Sequence, residues 1–329
     1  MTRYSKSLLR LSAVAAAVIA PPAFAAATFD ANAEFDTTYV NKANGGDSAV
    51  NDTLRQGGRI EVNFAGKTTV GSGFVAGRGT AILGNGGAAT TDDAWVQGGS
   101  ESFSVKVGRF ESTDLSPPGR DVYVIGSSNH GIGYNGNQVA WTRTGQPRIT
   151  LNGDFGGGVT FEFGIQEENT GTNVKGTDNP TLTNPLGGTS KAVKIAVRPV
   201  VSFAAGPISA RVGLEKSGLP DTKVGIAGTF GYNFGDGNVN VNLGSQGKST
   251  PNGETSSSYG FQVNGGYGPF GAAYLQGRDH FSRKGKSLYL TYQMPFFIDK
   301  ANFIIALAKG HAPGAPTETG LRARIHYDF

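Results

Sequence analysis

The sequence contains no cysteine, and beyond its first 25 residues it has no run close to 18 apolar residues. The absence of cysteine excludes disulfide bonds and thiolate metal sites. The absence of long apolar runs excludes transmembrane helices, which need about 20 such residues. The 51 glycines suit tight turns, while 20 Phe, 11 Tyr and a regular Val and Ile alternation argue against a disordered glycine-rich chain.

Residues 1–25 have the pattern of a secretory signal peptide. Three basic residues precede an apolar run from Leu11 to Ala20, and the small-residue triplet Ala23-Phe24-Ala25 follows. The apolar run is too short for a membrane anchor. We therefore predict a cleaved signal at residues 1–25 and a single mature domain at residues 26–329, with export to the periplasm.

Charge is nearly balanced once the predicted signal is removed. The whole chain has 29 basic and 25 acidic residues, a net charge of +4, and residues 1–25 contribute three basic and no acidic residues. The mature chain therefore carries 26 minus 25, or +1. No basic stripe remains, which argues against nucleic acid as a partner.

Residues 320–329 alternate strictly between apolar and polar side chains. The apolar positions are Leu321, Ala323, Ile325, Tyr327 and Phe329. A strand with this pattern places one face against an apolar medium and the other against water. In an exported chain it predicts an outer-membrane β-barrel, in which Tyr327 and Phe329 complete the closing strand while Arg322 and Arg324 point into a water-filled lumen.

The same alternation recurs along the mature chain and predicts an all-β fold, a sixteen-stranded antiparallel transmembrane β-barrel. The strands are expected near 28–41, 54–66, 71–83, 92–98, 102–109, 137–152, 158–168, 190–204, 207–216, 223–234, 238–247, 257–267, 270–279, 286–297, 302–309 and 320–329. Short connections, the first at 66–68, alternate with long ones such as 42–53, 110–136 and 169–189. This alternation is typical of outer-membrane barrels, with both termini on the periplasmic side.

Side chains alternate between the two faces of a strand, so odd- or even-numbered positions (the parity) predict which side chains face lipid. Ile60, Val62 and Phe64 are expected outward, and Arg59, Glu61 and Asn63 inward. A charged residue on the lipid face at the membrane midplane costs roughly 2 to 4 kcal/mol. Outward tyrosines near strand ends would form aromatic girdles or cross-strand pairs: Tyr39, Tyr259, Tyr292 and Tyr327. Segment 137–152 leaves its register open, so Arg143 is not assigned to a face.

The longest loop follows the fifth strand, which ends in Val107-Gly108-Arg109. In strand number, loop position and terminal Phe329, the whole mature chain resembles the trimeric general porins of Gram-negative bacteria. The resemblance implies a third loop that folds into the barrel and narrows the pore. The Pro-Glu-Phe-Gly-Gly stretch of enteric porins is absent, and Arg109-Phe110-Glu111 with Asp114-Leu115 also resembles certain sugar-specific porins.

The resemblance also implies a set of site residues. Basic wall residues are expected at Arg55, Arg59, Arg78, Arg322 and Arg324. The constriction loop would contribute Arg109, Glu111, Asp114, Arg120, Asp121 and Tyr123. Opposed charges across a narrow pore create a transverse field that orients dipolar solutes. The alternative for each arginine is a lumen salt bridge without a role in selectivity, such as Arg59 with Glu61.

No catalytic, cofactor or metal site is predicted. Gly244–Ser249 imitates the end of a phosphate-binding loop, but Asn242 occupies the position that requires glycine, and strand periodicity continues beyond it. The four histidines are too scattered for a zinc site. An enzyme is therefore disfavoured.

The expected function is passive diffusion of small hydrophilic solutes and ions across the outer membrane, with a weak anion preference from the basic closing strand. Loop acids could cancel that preference. A saccharide-selective porin is the alternative, using Trp95, Tyr123, Tyr274 and Tyr289 to stack on sugars, and a non-conducting structural or adhesin barrel is less favoured. Expected partners are solutes, outer-membrane lipid, the assembly machinery and two further copies in a homotrimer.

Overall fold

The computed structural model describes residues 27–42, 52–117, 124, 148–168, 194–216, 223–246, 257–279, 281–311 and 314–329. Within these ranges every regular element is a strand, and no helix long and apolar enough to cross a membrane is found. The strands are β1 (Ala27–Lys42), β2 (Thr53–Val70), β3 (Gly73–Gly84), β4 (Ala89–Ser100), β5 (Phe103–Arg109), β6 (Arg148–Gly156), β7 (Val159–Glu168), β8 (Lys194–Ala205), β9 (Ile208–Glu215), β10 (Gly225–Phe234), β11 (Gly237–Gln246), β12 (Ser258–Tyr267), β13 (Phe270–Arg278), β14 (Lys284–Phe296), β15 (Ile298–His311) and β16 (Glu318–Asp328).

The sheet closes on itself. Each strand pairs antiparallel with its neighbours in sequence, and β1 pairs with β16 from Asn32 opposite Asp328 to Lys42 opposite Glu318. Phe329 directly follows the closing strand, and its backbone N–H donates to the carbonyl of Ala31 at 2.9 Å. A closed sheet has no free edge, so backbone polar groups are satisfied without water. The predicted sixteen-stranded antiparallel barrel is confirmed.

Tight turns lie at the end of the barrel that carries Ala27 and Phe329, which we call the turn end; the opposite end is the loop end. Two of these turns begin at Gly235 and Gly268, with φ of 52° and 53°. Glycine adopts this left-handed conformation without the steric penalty of a Cβ. The short turns therefore cluster on one side, as in outer-membrane barrels.

The turn predicted at residues 66–68 is wrong. There the strand continues, because Lys67 pairs with Ala76 and Thr68 with Val75. The chain reverses only after Val70. Polar residues in this stretch keep the period of two, so composition alone misplaced the turn.

Apolar side chains cover the outer face and polar side chains the inner one. Phe64 is 57% exposed, whereas the preceding Asn63 is 3% exposed. At the turn end, aromatic rings line the outer face in contacting pairs: Tyr232 with Phe234, Phe234 with Tyr267, Phe270 with Tyr292, and Tyr327 with Phe329. Such a girdle marks the boundary between lipid tails and headgroups.

One predicted strand lies only partly within the described residues. The segment expected at 137–152 corresponds to β6, which begins at Arg148 and ends at Gly156. Residues 137–147, with Arg143, fall outside the described part of the chain. The parity of β6 is set by Arg148 and Thr150, both buried on the inner face.

Candidate functional site: the lumen wall and the β5–β6 loop

The chain turns into the barrel directly after β5. The guanidinium of Arg148 on β6 fixes the first residues of the loop, because its Nη1 donates to the carbonyl of Phe110 at 2.7 Å and to Ser112 Oγ at 3.0 Å. Arg148 is 2% exposed, and Phe110 is also 2% exposed. The first residues of the β5–β6 loop therefore pack on the inner wall.

A buried ion pair holds the next residue of the loop. Glu162 on β7 accepts hydrogen bonds from the Thr113 backbone N–H at 3.1 and 3.2 Å and from Thr113 Oγ1 at 3.1 Å. Arg198 on β8 donates to the Thr113 carbonyl at 2.8 Å and contacts Glu162 Oε1 at 3.4 Å. Both charged side chains are buried, Arg198 at 1% exposure and Glu162 at 9%. Charge-assisted hydrogen bonds in such a site are stronger than neutral ones.

Apolar packing supports the loop beyond the ion pair. Leu115 is 2% exposed and packs with Val200 on β8 and Ala227 on β10. Gly213 on β9 allows this close approach, because a Cβ built there would lie 2.5 Å from Leu115 Cδ1. The guanidinium of Arg211 also donates to the carbonyl of Asp114 at 2.9 Å.

The loop continues along the same wall to β12. The hydroxyl of Ser116 donates to Gln262 Oε1 at 3.2 Å. The carbonyl of Pro117 accepts from Asn242 Nδ2 at 3.2 Å and from Asn264 Nδ2 at 2.7 Å. The three wall amides are 4% exposed or less, so the loop covers them.

Val124 shows how far the loop reaches. It packs into an apolar cluster on the inner faces of three strands: Ala273 and Leu275 on β13, Tyr289 on β14, and Ala306 and Ala308 on β15. The described loop residues thus contact the inner wall from β6 to β15. For the described loop residues, 110–117 and 124, the predicted inward fold of the third loop is confirmed. At the loop end, Val40 on β1 also packs against the cluster that contains Val124. Apart from Val40, the inner faces of β16 and β1 to β4 form the part of the wall opposite these contacts.

On that wall, acids and arginines alternate from strand to strand. Arg324 on β16 contacts Asp36 at 2.6 Å and Glu34 at 3.2 Å on β1. Arg322 contacts the same Asp36 at 3.6 Å and donates to Thr38 Oγ1 at 2.8 Å. The closing strand is therefore basic in sequence but paired with acids in space.

The alternation continues onto β2, β3 and β4. Arg59 lies 3.3 Å from Glu34 and 3.6 Å from Glu61, and Arg78 lies 3.9 Å from Glu61 and 3.5 Å from Asp93. The Arg59 and Arg78 side chains are 44% and 36% exposed. The carboxylates are 17% exposed at Glu34, 13% at Glu61 and 10% at Asp93. The guanidinium groups therefore stand closer to the solvent than their acidic partners.

A family model described as "Gram-negative porin" matches residues 12–329. The chain belongs to the Gram-negative porin family. This porin is an outer-membrane channel for the passive diffusion of small solutes, and its strands span the membrane.

Solved porin structures share the fold of this porin. A mutant of the Rhodopseudomonas blastica porin is 14% identical, with a TM-score of 0.62, and the match covers 92% of this chain and 100% of that one. A triple mutant of the same porin is 13% identical, with a TM-score of 0.61 and the same coverage. No curated protein matches the chain.

The porin's predicted wall arginines lie on neighbouring strands. Arg59, Arg78, Arg322 and Arg324 belong to one ion-pair network, including the Arg59–Glu61 pair that was the alternative interpretation. Arg55 lies four residues before Arg59 on β2 and therefore faces the same side of the strand. It is exposed and pairs with Thr38 on β1.

The predicted loop residues are more dispersed. Arg109 is the last residue of β5, and its Nε donates to the carbonyl of Asp92 at 2.8 Å. Glu111 is exposed, whereas Asp114 is partly buried and accepts from the Ser116 backbone N–H at 2.8 Å. Burial raises the pKa of Asp114, and the Ser116 N–H and the charges of nearby arginines oppose that rise. The other three predicted loop residues, Arg120, Asp121 and Tyr123, lie outside the described residues.

The aromatic residues proposed for sugar stacking do not converge among the described residues. Trp95 faces the lumen, where Lys106 Nζ lies 4.0 Å from its ring centroid. Tyr289 is 0% exposed beneath Val124. The inward prediction for Tyr274 is wrong: it is exposed on the outer face, because Ala273 and Leu275 hold the inward positions of β13.

Sequence reasoning missed the residues that hold the loop: Arg148, Glu162, Arg198, Arg211, Asn242 and Asn264. A usable signal was present, since β7 to β9 each carry a charged residue at an inward position in mid-strand and β6 begins with one. A charge buried against protein needs a partner, and the nearby loop supplies backbone carbonyls and N–H groups.

Proposed function

We propose that solutes cross this porin between the β5–β6 loop and the wall formed by β16 and β1 to β4. Size exclusion at this passage limits solutes to small hydrophilic molecules and ions, with a weak preference for anions. Passage follows the solute gradient and requires no catalytic residue or cofactor. The observation that carries the proposal is the unequal exposure of opposite charges along this wall.

The weak preference follows from electrostatics at short range. Each arginine is paired, so most of its field is cancelled a few ångströms away. An ion at the wall nevertheless meets the 44% and 36% exposed side chains of Arg59 and Arg78 before the more buried carboxylates. Arg55 adds a further exposed cation. Among the loop acids, the raised pKa of Asp114 reduces its opposing negative charge at acid pH.

The test is the reversal potential in a planar bilayer under a KCl gradient. Each of the two arginine charges, at about 10 Å from a permeating ion in water, changes the energy of that ion by about 0.4 kcal/mol before screening. At 0.1 M salt about a third of that energy remains. The double variant Arg59→Gln/Arg78→Gln is therefore expected to shift the anion-to-cation permeability ratio toward cations by about two- to threefold.

Two exposed lysines near the loop end outside this wall give a matched control, Lys216→Gln/Lys223→Gln. It also removes two positive charges and is expected to leave the ratio unchanged. Equal shifts in both double variants would attribute selectivity to overall charge and contradict the wall proposal. Oligosaccharides added to wild type are expected not to block the current; block would favour the saccharide-selective alternative.

We also propose the assembly that family membership suggests. The signal at residues 1–25 is cleaved, the mature chain crosses the periplasm, and the assembly machinery inserts it with Tyr327 and Phe329 completing the closing strand. Three copies then form the channel unit. N-terminal sequencing of the purified protein tests the cleavage. Its mass in mild detergent tests the trimer, and conductance steps in groups of three would agree with it.

A further inference from the structure

Four basic side chains occupy the outer face of the barrel at the loop end of three adjacent strands. They are Arg278 on β13, Lys284 and Lys286 on β14, and Lys309 on β15. Their outward direction follows from the alternation with buried inward neighbours, such as Ser287 and Ala308. The three lysines are exposed. No acidic residue occurs in β13 or β14, or in the part of β15 beyond Lys300.

The strand register brings these cations together. Arg278 lies directly opposite Lys284. Lys309 pairs with Leu288 while Lys286 pairs with His311, which makes Lys286 and Lys309 diagonal neighbours. Directly opposite residues are about 5 Å apart at Cβ and diagonal ones about 7 to 8 Å. Like charges directly opposite each other destabilise a sheet, so this arrangement favours a bound anion.

Arg278 is held in place within the cluster. Its Cζ lies 5.3 Å from the ring centroid of Tyr259, and its Nη2 donates to the carbonyl of Ser257 at 3.2 Å. The nearby acid, Asp279, is already engaged, since it contacts Arg283 at 2.7 Å. The cluster therefore keeps its positive charge.

The position of the cluster selects a lipid rather than a soluble anion. Toward the turn end, the outward residues next to the lysines are leucines, and Leu288 and Leu307 are 48% and 47% exposed. Leucines on the outer face of a membrane barrel contact acyl chains, and the loop end of such barrels faces the external leaflet. The lysines thus lie where the apolar band meets the headgroups, and long basic side chains reach toward phosphate at this level.

We propose that Arg278, Lys284, Lys286 and Lys309 form a binding site for the phosphate groups of a phosphorylated lipid in the external leaflet. The leucines below contact its acyl chains, and the four cations hold its headgroup. This site lies on the outer face and does not depend on how solutes cross the lumen.

Native mass spectrometry of the detergent-solubilised protein, titrated with diphosphoryl lipid A, tests the site. Each basic residue at a membrane surface changes binding about fivefold, so Lys286→Gln/Lys309→Gln is expected to weaken binding about 25-fold. The double variant Lys216→Gln/Lys223→Gln removes the same charge elsewhere at the loop end and is expected to bind as wild type does. Equal affinity of Lys286→Gln/Lys309→Gln and wild type would overturn the proposal.

Two further binding measurements identify the chemistry of the ligand. Dephosphorylated lipid A is expected to bind far more weakly than the diphosphoryl form, and equal binding would replace the phosphate site with apolar contact alone. Inorganic phosphate at matched phosphate concentration is expected not to displace the lipid; complete displacement would indicate a soluble-anion site. Should the double variant fail to fold, the single variants Lys286→Gln and Lys309→Gln serve, each with an expected loss of about fivefold.

Discussion

Replacing Glu162 with glutamine is expected to loosen the β5–β6 loop while leaving the barrel intact. In wild type, the Glu162 carboxylate accepts three hydrogen bonds from Thr113 and faces the guanidinium of Arg198. Glutamine keeps the shape of the side chain and one acceptor oxygen. The negative charge is lost, while Arg198 stays buried and keeps its hydrogen bond to the Thr113 carbonyl.

The magnitude follows from burial. Arg198 is 1% exposed and Glu162 is 9% exposed, so water does not replace the missing charge. Breaking one side of a buried ion pair costs about 3 to 5 kcal/mol. Part of that energy is recovered if the loop moves away and admits water to Arg198. The ratio of docked to undocked loop is therefore expected to fall by about a hundredfold or more.

Single-channel recording measures this change directly. A loop that leaves the wall intermittently changes the cross-section of the pore, so Glu162→Gln is expected to show excess current noise and a broader spread of conductance. Thermal unfolding of the same variant separates loop motion from loss of the barrel, whose strand pairing does not involve the Glu162 side chain.

Glu101→Gln is the matched control, since Glu101 is an exposed carboxylate in the turn between β4 and β5. It is expected to give the quiet current of wild type. If Glu162→Gln were equally quiet, with unchanged conductance, the buried pair would not hold the loop, and the hydrogen bonds and packing farther along would have to do so alone.

Three further changes test the remaining contacts. Gly213→Ala places a methyl group against Leu115 and is expected to raise current noise. Adding Leu115→Ala is expected to remove that clash. Additive effects of the two substitutions in the double variant would contradict a direct contact. Because the pKa of Asp114 is raised by burial, its contribution to loop docking is fully present below its ordinary pKa and is lost as pH rises through the raised value. Current noise should thus increase from acid to neutral pH, and it should increase less steeply in Asp114→Asn. The same pH dependence in both proteins would show that Asp114 does not contribute to loop docking. Phe329→Ala removes the ring that packs at 4.7 Å on Tyr327 and is expected to lower the yield of folded barrel on unheated gels, whereas an unchanged yield would exclude a role in assembly.

The barrel could be predicted because the residues that specify each strand and turn are close together in the sequence. A period of two identifies a strand within a few residues, and turn chemistry marks where it ends. The sixteen strands and their outward faces follow from such patterns. Errors occur where local chemistry is ambiguous: residues 66–68 resemble a turn but continue β2, and the parity of Tyr274 was misjudged by one position.

The route of the loop could not be predicted in the same way. Length and position after β5 marked it as exceptional, but its partners lie far along the chain. Thr113 meets Glu162 and Arg198, 49 and 85 residues later. The partners of Arg322 and Arg324 on β1 lie 284 or more residues earlier. Such contacts depend on barrel closure, and parity alone specifies a face without specifying a neighbour.

Burial separates two pairs of inward arginines that have different tasks. Arg148 and Arg198 are 2% and 1% exposed and donate to backbone carbonyls of the loop. Arg59 and Arg78 are far more exposed and contact acids on their own wall. An ion in water interacts strongly only with charges within about a Debye length that are not shielded by protein. Substitutions in the first group should therefore alter the fluctuation of the pore with little change in selectivity, and substitutions in the second should do the reverse.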